Sequence, residues 1–292
     1  MVKCGRISSR CLWMLGVCLY LLGCATTRPP FTPPPLPSLP KEHELRAGSS
    51  ILVSDLPLSR QHTLVSQIET LPEEVCRELQ LPLSQQIVQI YLFADRAKYD
   101  AYMSCQFPEL PPRRAFFIAR SDPRRGEELC IYTYWGDHLR EDLRHELTHA
   151  TLHGVLKNVP MWLDEGLAEY FEALPDLRGM NQTHAAALVA GKELTQANWP
   201  DLIALEKHTE VAQMQVADYR AAWGLVHWLL RGSSPGREVL LRYVQTLRLS
   251  APPPPFAPLL RQRVPRYEEA IRDHLHRSCP ALHHPPFFAG AL

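Results

Sequence analysis

The sequence predicts an α+β fold, in which a small mixed sheet with its helices is followed by a mainly helical half. Three observations carry that expectation. Short apolar runs of strand length recur between residues 49 and 135, helical spacing takes over from about 137, and proline-dense stretches at 26–40 and 251–258 interrupt the pattern. With 292 residues, 46% of them hydrophobic and 21% charged, the chain can bury a full core in one or two domains. The 31 basic and 31 acidic residues cancel, so no global field draws it to nucleic acid.

Lys3, Arg6 and Arg10 precede an apolar run, CLWMLGVCLYLL at 11–22. A basic start and a dozen apolar residues suit a secretion signal better than a spanning helix, which needs about 20. The run ends in Leu21-Leu22-Gly23-Cys24, which resembles the bacterial lipobox, with Cys24 as the lipidated residue. Ala25 lacks the aspartate that often retains lipoproteins at the inner membrane, so the expected place is the cell envelope, anchored in the outer membrane and facing the periplasm. A plain signal peptide or an uncleaved anchor is the rival reading. TTRPPFTPPPLPSLP at 26–40 is expected to be an extended spacer.

Strands are expected at 49–55, 86–93, 115–120 and 128–135, with helices at 58–79 and 94–104. Leu64, Val65, Ile68, Leu71 and Val75 give the first helix its apolar spacing, and Pro111-Pro112 and a turn at 122–126 separate the strands. No CxxC pair is present, which disfavours a cysteine zinc cluster. Outside the cytoplasm Cys76, Cys105, Cys130 and Cys279 could form up to two disulfides.

A helix is expected over 137–153, ending at Gly154. Leu139, Leu143, Leu147 and Ala150 form its apolar stripe, and Asp142, His145, Glu146, His149 and His153 a polar one that should line a cleft. The polar stripe holds HELTH, His145 to His149. Residues four apart stand one above the other on a helix, so both imidazoles of HExxH can reach one metal with Glu146 beside it. A zinc hydrolase needs a third protein ligand and an open position for water. Pro160 can start a second helix, MWLDEGLAEYFEAL, with Glu165 and Glu169 on one face. One carboxylate can bind the metal while the other hydrogen-bonds a ligand histidine.

HELTH followed by WLDEGLAEYFE resembles the gluzincin metallopeptidases, in particular their peptidase MA-like branch. The resemblance covers about 138–174, with looser likeness in YLFADRAKYDAYM and DYRAAWGLVHWLL. It implies a zincin-like fold binding one Zn2+ through His145, His149 and Glu165, with Glu146 as general base and Glu169 as the carboxylate behind a ligand. Asp142 is a further candidate for that supporting shell. His153 is an alternative ligand, but it lies a turn beyond His149 and lacks the glycine turn of the metzincin pattern, so a role behind a ligand or at the surface is expected of it instead. Gluzincins often stabilise the oxyanion with a Tyr or His from a later helix; Tyr219 is the candidate, with His227 behind it. Tyr219, Trp223, Val226 and Leu230 also have the spacing of plain core residues. By the same resemblance CIYTYW at 130–135 would be the edge strand that takes an extended peptide, although an internal strand fits the residues equally.

The expected organisation is a signal peptide at 1–23, lipidated Cys24 and tether at 24–45, a peptidase domain at 46–250, and a helical extension and tail at 251–292. The expected activity is zinc-dependent hydrolysis of peptide bonds, with a peptide or protein substrate and membrane contact through the lipid. An aminopeptidase and a non-catalytic envelope lipoprotein are the rivals. Helices are also expected from 219, at 236–248 and at 265–277, whereas 181–200 and Trp199 carry no readable motif.

Overall fold

The computed structural model describes residues 36–122, 126–197, 199–249 and 252–278. The signal segment, Cys24, most of the tether and the tail with Cys279 lie outside the described residues.

The first half is a five-stranded mixed sheet in the order β1-β2-β3-β5-β4. Strands β1 (His43–Ala47) and β2 (Ser50–Ser54) form an antiparallel hairpin whose turn uses Gly48 at φ 60°. β2 runs parallel to β3 (Val88–Phe93), β3 parallel to β5 (Gly126–Tyr134), and β4 (Ala115–Asp122) closes the far edge antiparallel to β5. The hairpin begins inside the segment read as tether: HELRA has no apolar alternation, and β1 exists through its pairing with β2. The order also corrects the edge. CIYTYW belongs to β5, which is internal; the edge strands are β1 and β4, and β4 is the one beside β5.

Alternation divides the sheet residues between two cores. Leu52, Val88, Ile90, Leu129 and Ile131 belong to the main core, together with the apolar faces of α1 (Thr63–Leu79) and α3 (Leu139–His153). Cys130 and Tyr132 face the other way, joining Phe93 in a smaller aromatic core with Tyr99 and Tyr102 of α2 (Arg96–Gln106). Cys76, Cys105 and Cys130 carry free thiols.

The second half is helical: α4 (Met161–Glu172), α5 (Gln182–Ala190), the short α6 (Leu202–Leu205), α7 (Val216–Arg231), α8 (Ser234–Thr246), α9 (Phe256–Arg263) and α10 (Tyr267–Ser278). The proline break at 251–258 ends in a helix, since Phe256, Ala257 and Leu260 supply α9 with a buried face. Phe256, Leu260, Tyr267, Ile271 and Leu275 join the main core, so α9 and α10 pack on the same body as the metal-motif helices. Among the described residues no helix is long and apolar enough to cross a membrane.

Two glycines permit the close approaches on which the site depends. A Cβ on Gly166 of α4 would lie 2.7 Å from the Ala222 carbonyl oxygen of α7, so these helices touch backbone to backbone. Gly154 ends α3 in right-handed backbone; its role is space, because a Cβ there would meet Ser84 Oγ at 2.8 Å.

Candidate metal centre

Helix α3 is anchored by its apolar stripe, and the buried hydroxyls of Thr148 and Thr151 are satisfied within the helix by donating to carbonyls one turn back. Arg144 is also buried. Its Nε donates to the Phe171 carbonyl oxygen at 2.8 Å and its Nη2 to that of Ala173 at 2.9 Å, with Glu74 as counter-ion at 3.3 Å. A guanidinium on the last carbonyls of α4 satisfies that helix end and fixes its distance from α3. The remaining face of α3 then presents His145 and His149 to α4.

Between them stands Glu165. Its Oε2 is 3.5 Å from His145 Nε2 and 3.7 Å from His149 Nε2. Bonds of about 2.0–2.1 Å from a zinc ion require its donor atoms to lie within about 4 Å of one another, a condition both distances meet. Glu165 is 3% exposed, and its Oε2 has no hydrogen-bond partner. A buried, unsatisfied carboxylate oxygen is costly, and a cation held with the two imidazoles would satisfy it. Two nitrogens and one oxygen are the donor set of a zinc site with an open fourth position.

The outer nitrogens of both imidazoles meet carboxylates. His145 Nδ1 is 2.7 Å from Glu172 Oε1, and His149 Nδ1 is 3.0 Å from Asp164 Oδ1. This differs from the expectation for Glu169, whose carboxylate instead lies 2.9 Å from His184 Nε2 and accepts from Asn181 Nδ2 at 3.0 Å. Asn181 also reaches Glu172 at 3.4 Å, so α5 and its cap brace the outer side of the site. Asp142 does not serve the histidines: Arg114 takes its carboxylate through two nitrogens at 2.7 and 3.0 Å.

Burial opposes a charge on His145, yet Glu165 and Glu172 outweigh it and hold the imidazole well above its usual pKa. His149 is raised in the same way, with Asp164 and Glu165 overcoming its burial. Asp164 in turn is pulled down against its own burial by His149 and His153. The carboxylates thus make a pocket that favours positive charge at the imidazoles.

Glu146 points to the opposite wall, where its Oε2 accepts the backbone N–H of Phe117 at 2.6 Å. Phe117 lies on the edge strand β4, and its amide is spent on Glu146. Its ring packs beside His149 and His153, with centroids 6.4 and 5.3 Å apart. Tyr219, in the first turn of α7, lies near enough to the centre to feel the charges of Glu165 and His145. Burial raises its phenol pKa, the Glu165 carboxylate adds to that, and the charge of the Arg113 guanidinium acts against it. His227 lies elsewhere, 3.0 Å from His274 of α10. Beside Glu169 and Glu172 a cavity of about 610 Å³ opens toward Arg114, Arg140, Leu177 and His184.

Residues 141–254 match the model of a family described as "Protein of unknown function (DUF1570)". The matched stretch contains His145, Glu146, His149, Glu165, Glu172 and Tyr219, and leaves out the sheet. Among curated proteins none matches the chain.

Glu172, Asp164, His184 and Phe117 were not among the residues singled out in the sequence. Glu172 had a readable signal, because Glu165, Glu169 and Glu172 at i, i+4 and i+7 share one helix face. Phe117 had none, since its contribution is a backbone amide.

Proposed function

We propose that the protein is a zinc-dependent peptidase of the gluzincin type, with a zincin-like catalytic unit. The observation that carries this reading is the convergence of His145, His149 and the unsatisfied buried oxygen of Glu165. Those three side chains would hold the ion. Zinc in such a site acidifies water and polarises a carbonyl.

The chain's own residues supply the rest. Glu146, held by the edge-strand amide, accepts the proton of the attacking water and returns it to the leaving amine. Tyr219 donates a hydrogen bond to the oxygen on which negative charge develops. Glu172 and Asp164 fix the ring orientation of the two ligand histidines. The exposed backbone edge of β4 suits an extended peptide chain better than a compact small molecule.

Lipid anchoring at Cys24, and with it a periplasmic outer-membrane place, is also proposed, and rests on the LLGC stretch. Metal analysis of the purified protein tests the central claim: about one zinc per chain is expected, lost in His149→Ala and reduced in Glu165→Ala. A peptide-library digest that Glu146→Gln abolishes while keeping its zinc supports the peptidase reading. Full cleavage by Glu146→Gln rejects it.

A further inference from the structure

Helix α3 carries a third histidine one turn beyond the motif. His153 Nε2 lies 2.9 Å from Asp164 Oδ2, while the other oxygen of that carboxylate lies 3.0 Å from His149 Nδ1. Asp164 thus lies between two imidazoles of one helix face: Oδ2 is hydrogen-bonded to His153, and Oδ1 lies against His149 Nδ1 without hydrogen-bond geometry. His149 and Asp164 are buried, whereas the His153 side chain is 38% exposed. The Phe117 ring packs beside both histidines and covers the relay from the strand side.

A carboxylate held from one side can rotate about its terminal torsion, which is broad and two-fold. The hydrogen bond from His153 to Oδ2 restricts that rotation and keeps Oδ1 against His149 Nδ1. We propose that His153 is a positioning residue: it fixes the plane of Asp164, which in turn fixes the ring of the metal ligand His149. His153 is then neither a ligand nor a surface histidine, and the span of α3 used by the site extends a turn past HELTH. This rests on the zinc-site reading, so the test separates the two.

Cobalt(II) and zinc affinities, with the cobalt visible spectrum as a second readout, are measured for the wild type, His153→Leu and His153→Gln. Glutamine retains a donor close to the position of Nε2, and leucine does not. His153→Leu is expected to bind metal about 10-fold more weakly, the lower end of what loss of an outer-shell partner costs, and to show an altered cobalt spectrum. His153→Gln should recover most of the affinity. In an Asp164→Asn background the leucine change should add little, because both act along one path. Equal affinity and spectrum in wild type and His153→Leu, or a glutamine variant as weak as the leucine one, overturn the role of His153 and leave the zinc site standing. A wild type that takes up neither metal overturns the zinc reading itself.

Discussion

Glu172 Oε1 lies 2.7 Å from His145 Nδ1, which gives the first histidine of the motif a carboxylate on its outer nitrogen. The glutamate one turn earlier, Glu169, is held instead by His184 and Asn181. Glu172→Gln is therefore expected to weaken zinc binding by about 10- to 100-fold. Glu169→Gln should remain near wild type. Competition titration against a zinc chelator measures both, and equal losses would reject the distinction.

Tyr219 stands near the centre without being part of the donor set. Tyr219→Phe should keep zinc and secondary structure and lower kcat/KM by about 10²–10³, the usual cost of removing one donor to a developing oxyanion. Cleavage of a peptide identified with the wild type gives the ratio. Unchanged turnover would reduce Tyr219 to a packing residue.

At Gly166 a methyl group would press on the Ala222 carbonyl oxygen at 2.7 Å and on Val226 Cγ2 at 2.9 Å. Both neighbours are buried, and one is backbone. Gly166→Ala should cost about 1–3 kcal/mol by overpacking, read from urea unfolding, and should weaken metal binding through displacement of Glu165 on the adjacent position.

The histidine pair of α7 and α10, with His227 buried and His274 half-buried, gives a pH dependence. Burial, the neighbouring His274 and the guanidinium groups of Arg231 and Arg178 push His227 down to about 3. Below its unfolded value of about 6.5 the unfolded chain takes up a proton that the folded chain refuses. This contribution is complete above about pH 6.5 and is lost progressively as the pH falls toward about 3, at up to about 1.4 kcal/mol per pH unit. His274 is lowered too, chiefly by burial, and acts in the same direction. Urea midpoints from pH 7 to 4 should fall more steeply in the wild type than in His227→Gln.

Four of the five strands, the helix bearing HELTH and its partner helix were legible because their apolar spacing is regular and Pro160 and Gly154 mark boundaries; β1, with no such spacing, was not. Strand order was not. AFFIAR and CIYTYW are similarly apolar, and which one is the edge depends on long-range pairing that neither segment encodes. Arg144 reads as a surface charge until the end of α4 is seen to need a donor. Within the site, residue types at helical spacing identified the converging donors. The partners of their outer nitrogens depend on side-chain direction, which spacing alone leaves open between Glu169 and Glu172.

The link between Phe117 and Glu146 divides the centre into two independently adjustable parts. All three converging donors and their carboxylate supports come from the pair α3 and α4, locked together by Arg144. The sheet supplies one amide, to the glutamate that is not a donor. On the proposed function, changes to the backbone of β4 at Phe117 would act first on Glu146 and the rate, whereas changes in the helix pair would act first on metal occupancy; the Phe117 ring, packed beside His149, is where the two meet.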